Sequence, residues 1–101
     1  MASRLSLQQK LENISGIKKV YFQPPVSINI EYPSIIYNLS DIESRHANNK
    51  KYINKKRYTI TLIHKNPDNI IVDEINSFEY CSFDRFYTDN NINYWVFDLF
   101  W

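Results

Sequence analysis

The residue types that most often carry out chemistry are sparse in this chain. Its 101 residues include two histidines, His46 and His64, and one cysteine, Cys81. Neither histidine has a cysteine or carboxylate at the spacing of a metal-ligand pair, and a lone cysteine cannot form an internal disulfide. Cys81 lies between Tyr80 and Ser82 with no neighbouring base. Its sequence context therefore predicts a buried structural thiol rather than a nucleophile.

The carboxylates and the single glycine give no catalytic pattern either. Asp73 and Glu74 are adjacent in a predicted helix, where adjacent side chains point apart and cannot share a proton as an acid–base pair. Gly16 is the only glycine, which excludes a glycine-rich phosphate-binding loop. We therefore expect a protein that makes contacts, with no enzymatic activity, no cofactor and no bound metal.

The carboxyl-terminal segment, residues 93–101, has the pattern of a strand that is apolar on both faces. Because side chains alternate along a strand, one face carries Trp95, Phe97, Leu99 and Trp101, and the other carries Tyr94, Val96, Asp98 and Phe100. One face of a strand normally meets the core and the other meets water. The pattern predicts that a helix or another subunit covers the second face.

Charge is unevenly distributed although the net charge is only +1. Residues 43–57 contain one acidic residue and six basic ones, namely Arg45, Lys50, Lys51, Lys55, Lys56 and Arg57. Residues 68–98 contain seven acidic residues, Asp84 among them, and one basic residue, Arg85. Two interpretations remain open: two solvated faces, or complementary patches between copies of the chain. The basic segment is also compatible with nucleic-acid binding that weakens with salt and does not depend on the nucleotide sequence.

Hydrophobic periodicity predicts a single α+β domain over residues 1–101, with the element order α-β-β-β-α-β-β. The predicted sheet is mixed or antiparallel, has four to five strands, and carries both helices on one face. The helices are expected at residues 4–15 and from Asn66-Pro67-Asp68 to about Ser77. The strands are expected at 19–22, 27–38 with an edge or a break at Pro33, 57–65, 80–87 and 93–101, with a turn at 89–91.

Residues 40–54 are polar, lack apolar periodicity and contain Asn48-Asn49, which predicts a long loop or the tip of a hairpin. Residues 43–56 are expected to form a mobile basic loop. No apolar run approaches the roughly 20 residues of a membrane helix, and the amino terminus lacks the apolar core of a signal peptide. We therefore expect no membrane partner and a cytosolic location where the protein is made.

Several strings in the chain resemble a family of small structural proteins of long-tailed bacteriophages, the tail completion or tail terminator-like proteins. The similarity runs from Leu7 to Phe100. It is carried by the order and spacing of the segments 21–25 (YFQPP), 32–37 (YPSIIY), 57–58 (RY), 66–68 (NPD) and 83–93 (FDRFYTDNNIN).

This resemblance implies a subunit of a ring, expected to be a hexamer, at the head-proximal end of the virion tail. Such a ring caps the tail tube, ends its polymerisation and presents a surface to the head–tail connector proteins; its subunits assemble in the host cytoplasm. DNA in the lumen is a further expected contact. The predicted interface residues are Arg45, Lys50, Lys51, Lys55, Lys56, Arg57, Asp84, Arg85, Trp95, Phe97 and Trp101. The alternatives are a head–tail connector adaptor and a nonspecific nucleic-acid-binding module.

Overall fold

One five-stranded sheet with two helices makes up the computed structural model, which describes residues 4–25, 29–47 and 50–101, and their side chains except those of 41–55. In chain order the elements are α1 (Arg4–Glu12), β1 (Lys19–Phe22), β2 (Ser34–Ala47), β3 (Lys50–His64), α2 (Ile71–Asn76), β4 (Cys81–Asp89) and β5 (Ile92–Phe100). The predicted α+β class and element order are confirmed.

The sheet is mixed, with the strand order β1-β2-β3-β5-β4. β1 pairs parallel with β2, and every other neighbouring pair is antiparallel. The carboxyl-terminal strand β5 therefore lies inside the sheet, between β3 and β4, although it is last in the sequence. β4 forms one edge of the sheet and the short strand β1 forms the other.

The core lies between one face of the sheet and the two helices. Alternate residues of β2, β3 and β5 supply the sheet side of this core, and they are Ile35, Tyr37, Tyr58, Ile60, Leu62, Trp95, Phe97 and Leu99. Leu7, Leu11, Ile71 and Ile75 supply the helical side. Full burial of an aliphatic side chain of this size is worth about 1.5–3 kcal/mol relative to exposure. These contacts hold the helices on the sheet.

The spacing of Leu7, Leu11 and Ile14 predicts the buried side of a helix over residues 4–15. Leu7 and Leu11 are buried in helix α1, and Ile14 is buried two residues beyond its end. Two polar contacts of Gln8 also tie the helix to the sheet: its Oε1 accepts a hydrogen bond from the Tyr37 hydroxyl, and its Nε2 donates to the Val20 carbonyl at 3.2 Å. The helix ends at Glu12, three residues earlier than expected.

The turn after α1 requires a glycine. Gly16 has a φ of 94°, a left-handed conformation that favours glycine. A Cβ atom at this position would also lie 3.4 Å from Cδ1 of Ile71. The position of Gly16 after the predicted helix favours a left-handed residue, and Gly16 has this conformation in the turn that follows the helix.

Helix α2 starts later than the sequence predicts, because Asn66 and Asn69 use their side chains to close turns. Oδ1 of Asn66 accepts a hydrogen bond from the Asp68 backbone N–H at 3.0 Å. Oδ1 of Asn69 accepts one from the Val72 N–H at 3.2 Å. Asn and Asp commonly form such local bonds instead of a helical turn. The helix therefore begins at Ile71, and its side chains Ile71 and Ile75 are buried.

The described backbone of residues 43–56 is the end of a β-hairpin and not a long loop, so of the two expectations for this segment the hairpin is the one that agrees with the structure. β2 and β3 continue as an antiparallel pair, with Glu43 opposite Lys55 and Ala47 opposite Lys50. Residues 48 and 49 lie outside the described residues. A polar composition lowers the expected burial of a segment, but it leaves the backbone able to pair. The expected break at Pro33 is confirmed, since β2 begins at Ser34.

Candidate interaction surface

The hairpin of β4 and β5 is closed by a two-residue turn, Asn90-Asn91. Both residues have positive φ values, of 51° and 63°. This is the conformation of the turn that matches the twist of a β-hairpin, and Asn tolerates it better than most residues. The predicted turn is confirmed. It places two aromatic strands side by side, one inside the sheet and one at its edge.

β5 is covered almost entirely by the protein itself. Phe97 and Leu99 are fully buried, and Trp95 is nearly so, on the face that meets the helices. On the opposite face Val96 is also buried, together with Ile63 of β3. Burial raises the pKa of Tyr94 on that face, with a further contribution from Tyr32 in the connection before β2. The first face is covered by the helices, as expected, but no helix covers the second face. There Tyr94, Asp98 and Phe100 remain half-buried beside the buried Val96, so the expected cover by a helix is wrong for this face.

β4 has the opposite environment. All of its residues except the half-buried Cys81 are exposed. Four of the seven exposed large hydrophobic side chains in the described part of the protein lie between residues 80 and 87: Tyr80, Phe83, Phe86 and Tyr87. Such a concentration of exposed aromatic surface is typical of an interaction site.

Each exposed aromatic residue of β4 packs at its inner side against β5. Rings of Phe83 and Phe97 meet edge to face with centroids 5.5 Å apart, and those of Phe86 and Trp95 lie at 5.3 Å. On the other face of the sheet Tyr87 stacks on Tyr94 at 4.7 Å. The three rings are therefore held in fixed positions on β5, with nearly half of Phe83 and Phe86 left open to solvent.

An irregularity in the pairing of β4 brings the two phenylalanines to the same face. Phe83 lies opposite Phe97 and Arg85 opposite Val96, so Asp84 is an extra residue, a β-bulge. Residues directly opposite each other point to the same face. Phe83 and Phe86 therefore both point to the face of the helices, although three positions separate them. A regular strand would place them on opposite faces.

The charged residues at the bulge are exposed and adjacent. One guanidinium nitrogen of Arg85 lies 3.7 Å from a carboxylate oxygen of Asp84. The Arg85 side chain is 67% exposed and that of Asp84 43%, so both can take other partners. An exposed pair of this kind adds little to stability. Of the predicted interface residues, Asp84 and Arg85 are thus found on the exposed edge.

Three other predicted interface residues have intramolecular roles. Trp95 and Phe97 are part of the core and leave no usable surface for a partner, which corrects the prediction for both. Trp101 is half-buried, and its indole N–H donates a hydrogen bond to Oγ of Ser6 at 3.1 Å. The sequence could not show which aromatic strand is internal, because that depends on which strands pair.

The basic residues of the predicted interface lie on or beside the β2–β3 hairpin. Lys56 and Arg57 are half-buried, and Nε of Arg57 lies 3.4 Å from Oγ of Ser40. Arg45, Lys50, Lys51 and Lys55 belong to β2 and β3, and their side chains lie outside the described residues. The structure therefore places the basic segment and the acidic edge strand β4 on different strands of one sheet.

Among the described side chains, Cys81 lies opposite Leu99 at one end of β5, and His64 lies opposite Asn93 at the other end. Burial, with the negative charge of Asp98, raises the pKa of the Cys81 thiol to about 11, so the thiolate is disfavoured. Nδ1 of His64 accepts the Asn66 N–H at 2.9 Å, and burial lowers its pKa. Within the described ranges no group of His, Cys, Asp and Glu residues could hold a metal ion.

The fold and its exposed surface define a small α+β domain with one aromatic edge strand. No family model, curated protein or solved structure matches the chain. Neither described helix has the length and apolar character needed to cross a membrane.

Proposed function

We propose that this protein is a structural assembly subunit of a long-tailed bacteriophage. Copies of it form a ring, expected to be hexameric, that caps the tail tube, ends tube polymerisation and offers a surface for head attachment. The partners are other copies of the chain, the tube protein and the connector proteins. The proposal draws on the resemblance of the segments between Leu7 and Phe100 to tail terminator-like proteins.

The observation that carries the proposal is the exposed, aromatic and acidic edge strand β4. Subunits of a ring meet through two unlike patches, one on each neighbour. β4 and its flanks contain Glu79, Asp84 and Asp89, all exposed, whereas the basic segment belongs to the β2–β3 hairpin. Rigid aromatic side chains are the residues that most often dominate interfaces. One chain thus has an exposed acidic edge with aromatic anchors and, on another pair of strands, a segment of basic sequence.

A genetic experiment tests this function. A phage that carries this gene is grown with an amber mutation in it, and tail length and head attachment are measured by electron microscopy. We expect tails of uncontrolled length, or tubes that lack heads. Tails of normal length that remain joined to heads would rule out the proposal. Tails of normal length that fail to join heads would identify a connector adaptor instead.

A biochemical experiment tests the charge complementarity. The variant Lys55→Glu/Lys56→Glu reverses two charges of the basic segment, and ring formation with purified tube protein is counted in electron micrographs. We expect few closed rings, because the acidic patch of the neighbour then meets like charge. The matched control is Lys18→Glu/Lys19→Glu, which reverses an exposed basic pair outside the segment. Equal ring counts for both variants would remove the basic segment from the interface.

A further inference from the structure

The backbone of β4 has an outer side that no described strand covers, since β5 is its only neighbour in the sheet. Phe100 N–H bonds the Tyr80 carbonyl at 3.1 Å, and in an antiparallel pair such bonded positions alternate with positions whose backbone groups point away. The residues of β4 that lie opposite Leu99, Phe97, Trp95 and Asn93 therefore direct their backbone groups outward. These partners are Phe83, Phe86 and Thr88, together with Cys81, whose N–H already bonds the Phe78 carbonyl at 3.3 Å.

The outward-facing positions are arranged symmetrically about the bulge. Phe83 and Phe86 lie one step either side of the Asp84-Arg85 pair, and Cys81 and Thr88 lie three steps either side. In a regular partner strand every second residue directs its backbone groups to one side. Such a strand can therefore pair with the outward-facing residues on only one side of the bulge. A second copy of β4, running antiparallel, carries the same extra residue and matches both halves.

We propose that β4 is a self-pairing edge: in the free protein it pairs antiparallel with β4 of a second copy, with Asp84 of each copy opposite Arg85 of the other. In this register Phe83 of one copy exchanges backbone hydrogen bonds with Phe86 of the other. Because both residues point to the same face, the four phenylalanines meet across the two-fold axis.

Charge complementarity selects the second copy as the occupant of this edge. Within one chain the exposed Asp84 and Arg85 contact each other. In the dimer they would form two equivalent contacts instead, each between Asp84 of one copy and Arg85 of the other. Charges and bulges usually protect an edge strand from pairing with other strands. Here the same two features exclude a regular strand and admit a copy of the chain.

The contact is isologous and closes on itself, so it neither builds nor requires a ring. It is derived from the geometry of β4 alone and does not depend on a role in a virion. A subunit that uses β4 in a larger assembly must first leave this dimer. Failure of the dimer would therefore leave the proposed tail function untouched, and failure of the tail function would leave the dimer untouched.

Two complementary variants test the register. Asp84→Arg gives the centre of the contact only positive charge, and Arg85→Asp gives it only negative charge. Sedimentation of the full chain over a concentration series measures the dimer dissociation constant. We expect wild-type dimers and a rise of about tenfold or more in the dissociation constant for each variant, because like charges lie directly opposite. Glu31→Arg, an exposed change of the same size away from β4, is the control.

Mixing the two variants gives the decisive result. An equimolar mixture of Asp84→Arg and Arg85→Asp chains is expected to form heterodimers with nearly wild-type affinity, since opposite charges face each other again at both positions. The double variant Asp84→Arg/Arg85→Asp is expected to recover the homodimer. Circular dichroism verifies that each variant is folded. A mixture as monomeric as its two folded components, or a wild-type chain that is monomeric or grows into open-ended oligomers, would overturn the proposal.

Discussion

β4 and β5 are two halves of one hairpin, and both are rich in aromatic residues, yet they have opposite environments. β5 pairs on both sides, is buried on the face of the helices and is half-buried on the other, whereas β4 pairs on one side and is exposed. A strand at the centre of a sheet is covered by its neighbours, while an edge strand keeps a row of unpaired backbone groups. Aromatic content alone does not identify an interaction surface. The position of a strand in the sheet decides whether its aromatic residues stabilise the fold or meet a partner.

The largest expected difference between the two strands is in stability. Phe97→Ala should lower the free energy of unfolding by about 3–5 kcal/mol, since Phe97 is fully buried and its loss leaves a cavity. Phe83→Ala, the matched change directly opposite, should cost only about 1 kcal/mol, mainly through the lost ring contact. Urea unfolding measures both. Equal costs would mean that β4 is as deeply packed as β5.

A second variant tests how the end of the chain is held. Trp101 packs against the core while remaining half-buried, and it bonds Ser6. Trp101→Ala should therefore cost about 1–3 kcal/mol, less than the loss of a fully buried aromatic residue. The dimer dissociation constant should stay unchanged, because Trp101 lies outside β4. A variant of wild-type stability that dissociates more readily would instead assign Trp101 to the interface.

The turn that joins the strands gives a smaller effect. Asn91→Val should destabilise the protein by about 1–2 kcal/mol, because a β-branched residue is strained at a φ of 63°. Asn91→Gly serves as the control and should be neutral or slightly stabilising, since glycine adopts this conformation freely. Thermal unfolding of both variants checks the prediction. Similar melting temperatures would show that the turn does not constrain the hairpin.

The smallest effect concerns pH and Cys81 at the start of β4. Its pKa in the folded state is about 11, above the ordinary value of 9.0, because of burial and the charge of Asp98. The folded state therefore holds this proton more tightly than the unfolded chain does. The resulting stabilisation is complete below pH 9 and is lost as the pH rises towards 11.

The comparison of wild type with Cys81→Ala isolates this contribution, since other groups titrate in the same range. The wild type should lose more stability than the variant between pH 9 and 11 in parallel urea titrations. Alkylation of the thiol by iodoacetamide should also be slow at pH 8. Identical pH profiles, or rapid alkylation at pH 8, would place the Cys81 thiol in a solvated environment.

Much of the fold follows from local signals in the sequence. The stripe Leu7, Leu11 and Ile14, the turn at Asn90 and Asn91, and the alternation along β5 all predict their elements, because periodicity and turn chemistry are properties of neighbouring residues. Local polarity could not decide between a loop and a hairpin at residues 43–56, where strand pairing depends on residues far apart in the chain. The start of α2 was also missed, since Asn66 and Asn69 close turns with their side chains.

The candidate surface was harder to predict than the fold. Asp84 and Arg85 were expected at an interface, and they are exposed at the edge. Phe83 and Phe86 are three positions apart, and in a regular strand this spacing puts two side chains on opposite faces. The bulge at Asp84 brings both rings to the same face, and it is visible only in the pairing of β4 with β5. Two phenylalanines on either side of adjacent, oppositely charged residues, Asp84 and Arg85, are a signal in the sequence that could have suggested this edge.

Amide hydrogen exchange at two protein concentrations tests most directly the claim that β4 meets a partner while β5 stabilises the fold. The amides of Phe83 and Phe86 point outward, so they should exchange rapidly in dilute protein and slowly in concentrated protein, where a second copy covers them. The amides of Trp95 and Phe97 should be protected equally at both concentrations. Protection of β4 that does not change with concentration, or protection of β5 that does, would contradict the account.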